Sequence, residues 1–186
     1  VGQKVGLRLT LSPHNIADLD QILDFIEEEN IDRVCFYHLV YTGRGSKLTD
    51  VDCAGTRQAV DKIFDRTAKW VAAGQPREVL TVDQPADGAY LYMRLLKENP
   101  ERAKEVFDRL SWNGGGANSS GVGISNIDTQ GNVHPDQFWQ TLTLGNVKDR
   151  PFSDIWRNST HPILAGLRNR LPLLEGKCGI CRFKGL

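Results

Sequence analysis

The sequence predicts an α/β fold, in which parallel βαβ units are followed by a small module of a β-hairpin and short helices. Residues 5–11 alternate in polarity like a strand, and residues 34–40 form a nearly continuous run of β-prone residues. The glycine- and asparagine-rich segment 113–121 has almost nothing to bury and separates the two parts. We therefore divide the chain into domains 1–111 and 112–186.

A helix is predicted between these first two strands. Residues 12–15 (SPHN) break the strand pattern and offer capping side chains. In residues 16–30, Leu19, Leu23 and Ile26 then fall on one face and acidic residues on the other. Because a strand, a helix and a second strand in this order form a βαβ unit, the sheet is expected to be parallel.

The rest of the first domain continues this alternation. A helix over 54–73 ends at a Gly-Gln-Pro sequence, residues 78–82 read as a short strand, and two helices follow over 86–99 and 100–110. The TGRGS loop at 42–46 follows the second strand, where parallel α/β folds place functional loops.

The second domain is predicted to be small and rich in loops. Residues 122–128 and 133–134 flank a four-residue turn that contains a glycine, which predicts a β-hairpin. Residues 144–147 read as a turn, and helical stretches begin at 151 and 163. The last ten residues have too little apolar content to fold unaided, so we expect something external to order them.

Composition excludes several classes of protein. The 186 residues are 40% apolar, and 23 basic residues balance 23 acidic ones, so no net field would attract nucleic acid. No apolar run approaches the roughly 18 residues that span a bilayer, and the start lacks a signal-peptide pattern. We therefore expect a cytoplasmic protein that associates with neither membrane nor nucleic acid, and both chain ends look cut.

The strongest chemical motif is the pair Cys178 and Cys181. Two residues between thiols let both sulfurs face one metal ion or one cluster. A zinc ribbon would need a second pair, which the chain lacks, and a redox pair would need a strand leading into a helix. Cys35, in a buried strand, and Cys53, in a polar loop, are not expected to be ligands.

A second motif lies just past the hairpin. His134 and Asp136 place an imidazole and a carboxylate close together, where they could act as acid and base or hold a polar substrate group. A surface turn capped by the aspartate explains the same residues equally well. His14 reads as a cap or loop residue, and His161 reads as a surface residue.

Several of these motifs together resemble the SPASM extension of radical S-adenosylmethionine enzymes. They are GNVHP at 131–135, LGNV at 144–147, Ile155-Trp156 and the terminal Cys-x-x-Cys. Within that superfamily the chain resembles the heme d1 biosynthesis group. The residues that carry this second resemblance are VCFYHLVYTGRGS at 34–46, LTVD at 80–83, NSSGVG at 118–123 and HPDQFW at 134–139.

The resemblance implies a fold and a set of cofactors. The first domain would be the C-terminal part of a partial (βα)6 barrel, with strands 5–11 and 34–40 as its last two beside S-adenosylmethionine. The CxxxCxxC that holds the radical-forming cluster does not occur here and would precede Val1. Cys178 and Cys181 would be two ligands of an auxiliary [4Fe-4S] cluster whose other two ligands follow Leu186.

The resemblance also sets the expected ligands of the hairpin module. Residues 118–120 and Asp136 stand where two-cluster members of the SPASM group have cysteines, so a first auxiliary cluster is predicted to be absent. Whether Asp136 is reused as a ligand or contacts the substrate is left open.

The implied reaction acts on an iron tetrapyrrole. A 5'-deoxyadenosyl radical would abstract hydrogen from a propionate of didecarboxysiroheme, which would lose that side chain and gain a ring carbonyl. Arg8, His38, Arg44 and His134 are candidates to hold propionates, and a flavodoxin or ferredoxin would supply electrons. Alternatives are propionate decarboxylation in heme synthesis, peptide modification on the same scaffold, and a non-enzymatic metal-binding interaction module.

Overall fold

The computed structural model describes residues 4–112 and 119–186. The chain divides into two compact units, one ending at Asp87 and the other beginning at Gly88. The predicted domain division at residue 112 is not tested by this partition and stays a prediction. Residues 113–118, on which the predicted linker and part of the NSSGVG motif fall, lie outside the described part of the chain.

The first unit is built on a parallel three-stranded sheet. Its strands are β1 (Gly6–Thr10), β2 (Arg33–Tyr37) and β3 (Glu78–Val82), in the spatial order β1-β2-β3. Leu7 pairs with Val34, and Val34 in turn with Val79, so all three strands run in register in the same direction. This arrangement confirms the predicted α/β class and the predicted βαβ unit.

Two helices cover one face of this sheet. They are α1 (Leu19–Glu28) and α2 (Cys53–Ala72). Strand residues of one parity, among them Val34 and Phe36, are fully buried against them. Leu11, directly after β1, belongs to the same core, and the helices contribute Leu19, Leu23, Ile26, Ala59, Ile63 and Trp70. Because successive side chains of a strand point to opposite faces, the apolar strand residues lie on the face that the helices cover.

The opposite face of the sheet carries polar side chains. Gly6, Arg8 and Thr10 of β1 lie in register with Arg33, Cys35 and Tyr37 of β2. A groove of about 630 Å³ runs along this face, and Arg8, Cys35 and Tyr37 are among the residues that line it.

The second unit contains the predicted hairpin. Strands β4 (Asn126–Ile127) and β5 (Asn132–His134) are antiparallel, and β6 (Gly145–Asn146) pairs with the other edge of β5. Gly131 closes the hairpin turn at φ 91°, and a Cβ there would lie 2.8 Å from Oδ1 of Asn146. Only glycine fits this turn without strain.

Short helices complete the second unit. α3 (Ala86–Glu98) begins at the end of the first unit, and it is followed by α4 (Pro100–Trp112), α5 (Phe152–Arg157), α6 (Pro162–Arg168) and α7 (Gly176–Gly179). Val133 of the hairpin forms a small core with Leu144, Ile155 and Leu164. Leu110 of α4 packs against Gly88 of α3, where a Cβ would come within 2.8 Å of its side chain.

Several sequence predictions need correction in detail. Residues 16–18 form a 3-10 turn, and α1 begins only at Leu19. Cys53 is the first residue of α2 and not a loop residue. Asp52 is the N-cap of this helix, because its side chain accepts a hydrogen bond from the backbone N–H of Gly55. Residues 145–146, predicted as part of a turn, form β6.

Among the residues described, no helix is both long enough and apolar enough to cross a lipid bilayer.

The parallel sheet and its helices confirm the predicted α/β class. The closure of a partial barrel and the SPASM character of the second unit stay predictions.

Candidate functional site

The carboxyl ends of the three parallel strands meet at one edge of the first unit. His38 directly follows β2 and Asp83 directly follows β3, and the backbone N–H of His38 donates to the carbonyl of Val82. Parallel α/β folds bind ligands at this edge, because loops and helix starts converge there. Functional residues of the first unit are therefore expected at this edge.

His38 and Asp87 form a close, largely buried pair at this edge. Nε2 of His38 lies 2.7 Å from Oδ2 of Asp87, and the two side chains are only 10% and 9% exposed. Asp87 lies in the first turn of α3, 49 residues further along the chain. Because the carboxylate can only accept, Nε2 carries the proton of this bond.

The surroundings of this pair are acidic. The hydrogen bond to Asp87 raises the pKa of His38 above 6.5, and the charges of Asp50 and Asp83 act in the same direction, while burial opposes them. These three carboxylates favour the imidazolium form. A further carboxylate beside the ring would meet the like charges of these groups, and the predicted role of His38 in holding a propionate stays a prediction.

Asp83 shows two unusual features. Its φ of 68° places a non-glycine residue in the left-handed region directly after a strand. Burial raises the pKa of its carboxyl, against the opposing charges of His38 and Arg8. Asp83 therefore lies within electrostatic reach of both the buried pair and the polar face of the sheet.

Arg8 is held on the polar face by Tyr37. Its guanidinium donates a hydrogen bond to the Tyr37 hydroxyl, and its Cζ lies 4.9 Å from the centre of the Tyr37 ring. The side chain of Arg8 is otherwise exposed to the groove. A guanidinium fixed in this way, with donors still free, suits the binding of a carboxylate.

Arg44 lies in the glycine-rich loop that follows β2. Residues Gly43–Lys47 form a 3-10 turn in which Arg44 is exposed. Gly45 fixes the path of this turn, because a Cβ there would lie 2.3 Å from the carbonyl oxygen of Val40. Arg44 is therefore available to solvent, although no contact brings it to the His38 pair.

His134 is fully buried in the hairpin of the second unit. Its Nδ1 lies 2.7 Å from the Leu142 carbonyl and its Nε2 lies 3.3 Å from Oδ2 of Asp128. With 2% of its surface exposed and both ring nitrogens engaged, it links the β5 strand to the next loop. The prediction of a surface turn is therefore wrong for His134, which lies inside the module, and its role in substrate binding stays a prediction.

Asp136 organises the turn after the hairpin. Its Oδ1 accepts hydrogen bonds from the backbone N–H groups of Phe138 and Trp139, at 2.7 and 2.8 Å, and its Oδ2 accepts from the Ser120 hydroxyl. Of the two interpretations that the sequence left open, the capped turn matches these contacts. His134 and Asp136 do not contact each other through their side chains.

Cys178 and Cys181 lie on and just after α7, and both are free and exposed. The backbone N–H of Phe183 donates to Sγ of Cys181 at 3.4 Å. Phe183 in turn packs edge-on against Tyr92, with ring centres 5.7 Å apart.

The exposure of these two thiols is compatible with their predicted role as ligands of an iron-sulfur cluster. Exposed thiolates are the ligands such clusters take, and Ile180 between them is 88% exposed, as expected of a segment without a core of its own. Within the ranges 4–112 and 119–186, no three His, Cys, Asp or Glu side chains converge on a metal position. The chain also has no CxxxCxxC.

Three residues of the carboxyl edge were not identified from sequence. The sequence analysis assigned no role to Tyr37, Asp83 or Asp87. Asp83 directly follows β3, and Asp87 lies in the first turn of α3. An acidic residue at the carboxyl end of a parallel strand was the available signal for Asp83. The contact between His38 and Asp87 left no local signal.

Comparison with known proteins finds homologous enzymes. The chain is 53% identical to Fe-coproporphyrin III synthase of Methanosarcina barkeri over 98% of its length. It is 41% identical to pre-heme d1 synthase of Dinoroseobacter shibae over 97%, and 25% identical to AdoMet-dependent heme synthase of M. barkeri over 96%. These relatives confirm the predicted resemblance to radical S-adenosylmethionine enzymes that include the heme d1 biosynthesis group.

The chain covers 46%, 45% and 48% of these three relatives, so it spans about half the length of the curated proteins it matches. No protein-family model matches the chain, and no solved structure matches it significantly.

Proposed function

We propose that this chain forms part of a radical S-adenosylmethionine enzyme of heme biosynthesis, one that alters carboxylate side chains of an iron tetrapyrrole. Homology over nearly the whole chain to three synthases with heme-related names supports this assignment. Because the chain spans about half of each relative, the activity proposed is that of the longer protein.

The product that we propose is Fe-coproporphyrin III. The 53% identity to a synthase of that name is the observation that carries this choice. Formation of a heme d1 precursor, which the sequence motifs suggested, is the second candidate and is supported by 41% identity to pre-heme d1 synthase. Both candidates place an iron tetrapyrrole with carboxylate side chains in the site.

Arg8 is the residue of the first unit best suited to hold such a side chain. Its guanidinium is stacked and hydrogen-bonded on Tyr37, which reduces the entropy lost when a carboxylate binds. The adjoining groove of about 630 Å³ provides room for a large planar ligand. Arg44 on the glycine-rich loop is a second candidate contact for a carboxylate at the ligand rim.

Cys178 and Cys181 would hold one side of an auxiliary [4Fe-4S] cluster. Such a cluster would accept or relay an electron during the reaction, with a potential set by local charge and hydrogen bonds. The Phe183 N–H on Cys181 is one such hydrogen bond. S-adenosylmethionine, when bound, supplies the 5'-deoxyadenosyl radical that starts the chemistry.

The proposal is tested on the full-length protein, reconstituted with iron and sulfide without oxygen. Reductant, S-adenosylmethionine and didecarboxysiroheme are added, and the tetrapyrroles are separated and identified by mass spectrometry. We expect Fe-coproporphyrin III together with 5'-deoxyadenosine, and neither in a reaction that lacks S-adenosylmethionine. A heme d1 precursor as sole product would favour the second candidate.

Two other results would contradict the proposal. Cleavage of S-adenosylmethionine with the tetrapyrrole unchanged would favour the peptide-modifying alternative. Stoichiometric zinc in place of iron, without S-adenosylmethionine cleavage, would favour a metal-binding interaction module.

A further inference from the structure

The segment that carries Cys178 and Cys181 is attached to α3 by an aromatic contact. The ring of Phe183 packs edge-on against Tyr92, with ring centres 5.7 Å apart and planes at 79°, and Tyr92 packs in turn on Phe107 of α4 at 5.2 Å. Phe183 is partly buried, whereas both cysteines are exposed. Because edge-to-face ring pairs are stabilising and have a preferred geometry, this contact fixes the segment two residues beyond the second thiol.

Hydrogen bonds carry this anchor back to the two thiols. The backbone N–H of Cys181 donates to the Cys178 carbonyl at 3.3 Å, and the backbone N–H of Lys184 donates to the Cys181 carbonyl at 3.3 Å. The backbone N–H of Phe183 donates to Sγ of Cys181. The side-chain ammonium of Lys184 donates to the carbonyl of Gly179 at 2.9 Å. Residues on the Phe183 side of loop 178–181 therefore hold both the loop backbone and one of its sulfurs.

The loop is also fixed on the side that precedes it. The backbone N–H of Gly179 donates to the Glu175 carbonyl at 3.0 Å. A Cβ at Gly179 would lie 2.5 Å from the carbonyl oxygen of Leu174, so the backbone approaches more closely here than any other residue type would allow. Loop 178–181 is thus held at both of its ends.

These contacts change what is expected of the end of the chain. Its low apolar content predicted that something external would order the last ten residues. The contacts described above are made by protein groups, through one partly buried ring and a set of hydrogen bonds. A metal site whose ligands are ordered in advance binds its metal at a smaller cost in conformational entropy.

We propose that Phe183, docked on Tyr92, is a positioning residue that holds loop 178–181 in its metal-binding shape before an iron-sulfur cluster is inserted. This inference rests on the proposed function, because it concerns the auxiliary cluster that we assign there to Cys178 and Cys181. Phe183 acts through the backbone, since its ring fixes the segment on α3 and its N–H then reaches Sγ of Cys181. Groups that orient metal ligands in this way typically contribute about 10- to 100-fold in metal affinity.

The first test follows hydrogen–deuterium exchange of residues 174–186 in the metal-free full-length protein. It compares wild type with Phe183→Ala, Tyr92→Ala, their combination and Phe183→Tyr, which keeps the ring. Phe25→Ala, which removes an exposed phenylalanine of α1, is the matched control. We expect the wild-type segment to exchange more slowly than in urea-unfolded protein. Each alanine variant should exchange about 2- to 12-fold faster, the effect of one aromatic contact on an opening equilibrium, and the combination no faster than the faster single variant.

The second test reconstitutes the same variants with iron and sulfide without oxygen. The EPR signal that disappears when Cys178→Ala and Cys181→Ala are combined identifies the auxiliary cluster. We expect Phe183→Ala to release iron from this cluster to a chelator about 10- to 100-fold faster than wild type. Its cluster should also be reduced at a lower potential, because an N–H donated to Sγ stabilises the negative charge added on reduction. Phe183→Tyr should restore both values.

The two tests separate this inference from the proposed function. Fast exchange of residues 174–186 in metal-free wild type, or equal exchange in wild type and Phe183→Ala, would overturn the positioning role alone. The same holds if iron release and potential are unchanged in Phe183→Ala, or change equally in Phe25→Ala. A wild-type protein without the auxiliary signal would refute the cluster itself and this inference with it. If Phe183→Ala does not fold, as judged by its melting temperature, Phe183→Leu, which keeps apolar bulk without a ring, replaces it in both tests.

Discussion

The Ser120 hydroxyl donates a hydrogen bond to Oδ2 of Asp136, which joins the segment before the hairpin to the turn after it. Oδ1 of the same carboxylate caps the turn through the N–H groups of Phe138 and Trp139. One side chain therefore joins two segments of the second unit, the one that contains Ser120 and the turn that contains Phe138 and Trp139. Ser120 and Asp136 stand at the two positions where the resemblance implies cysteines in two-cluster SPASM proteins. In this chain the two residues form a hydrogen bond instead.

Asp136→Ala should destabilise the second unit. It removes the acceptor for two backbone N–H groups and for Ser120, and the loss of such a capping side chain costs about 1–2 kcal/mol. Asp136→Asn keeps an oxygen for the backbone and should cost less. Urea unfolding of both variants measures the difference. Equal stability of Asp136→Ala and wild type would show that this turn contributes nothing to folding.

Sequence alone predicted the elements of the first unit well, because alternation in strands and a 3.6-residue period in helices are local signals. The same reasoning missed β6, since two residues such as Gly145 and Asn146 carry no period. It also missed the link between His38 and Asp87, which depends on how a strand end meets a helix start 49 residues later. Contacts at that separation are set by packing and leave no mark in either segment.

His134 shows a second limit of prediction from sequence, because residues that are close along the chain need not act together. The sequence placed it beside Asp136, and proximity along the chain suggested joint chemistry. His134 is the last residue of β5 and turns inward to Leu142 and Asp128, whereas Asp136 lies in the turn after the strand and caps it. Burial could not be read from the motif itself.

Asp128 should make the second unit sensitive to acid. Hydrogen bonds from the Asn132 side chain and backbone, with further ones from His134 and Gln130, lower its pKa from 3.8 to about 2. A lowered pKa means that its contribution to stability is present above pH 3.8 and is lost as pH falls through about 2. We expect Asp128→Asn to be less stable than wild type at pH 6 and equally stable near pH 2.

The control for this titration is Asp149→Asn, which changes an exposed aspartate of the same unit. It should follow wild type at both pH values in urea unfolding. A stability gap between Asp128→Asn and wild type that persists unchanged at pH 2 would contradict the role of the charge.

Gly45→Ala should distort the loop after β2. A Cβ at this position would lie 2.3 Å from the Val40 carbonyl oxygen, which is backbone and cannot move aside as a flexible side chain does. The expected cost is about 1–3 kcal/mol, comparable to other forced backbone conformations. Gly185→Ala has nothing within 4 Å of its added Cβ and serves as the control. Equal melting temperatures for Gly45→Ala and Gly185→Ala would contradict this prediction.

Arg8→Gln should weaken binding of the tetrapyrrole in the full-length enzyme. If Arg8 holds a side-chain carboxylate throughout the reaction, its loss raises KM by about 10- to 100-fold with little change in kcat, since a charged hydrogen bond contributes to both bound states. Arg33→Gln removes the other arginine of the same face, which is exposed and paired with Glu78 at 3.4 Å. An equal rise in KM for both variants would indicate a general loss of positive charge and not a specific contact.

Cys178→Ala with Cys181→Ala should remove one cluster and leave the other. The full-length protein, reconstituted without oxygen, is expected to bind about eight irons as two four-iron clusters, and the double variant about half of them. Cys53→Ala, which removes another exposed thiol, should keep the full iron content. The pair is suited to this role because both thiols are exposed and Cys181 already accepts the Phe183 N–H, while the segment between them buries nothing. Iron that stays at the wild-type level in the double variant would place the auxiliary cluster on other residues, and the exposed pair would then need a different explanation.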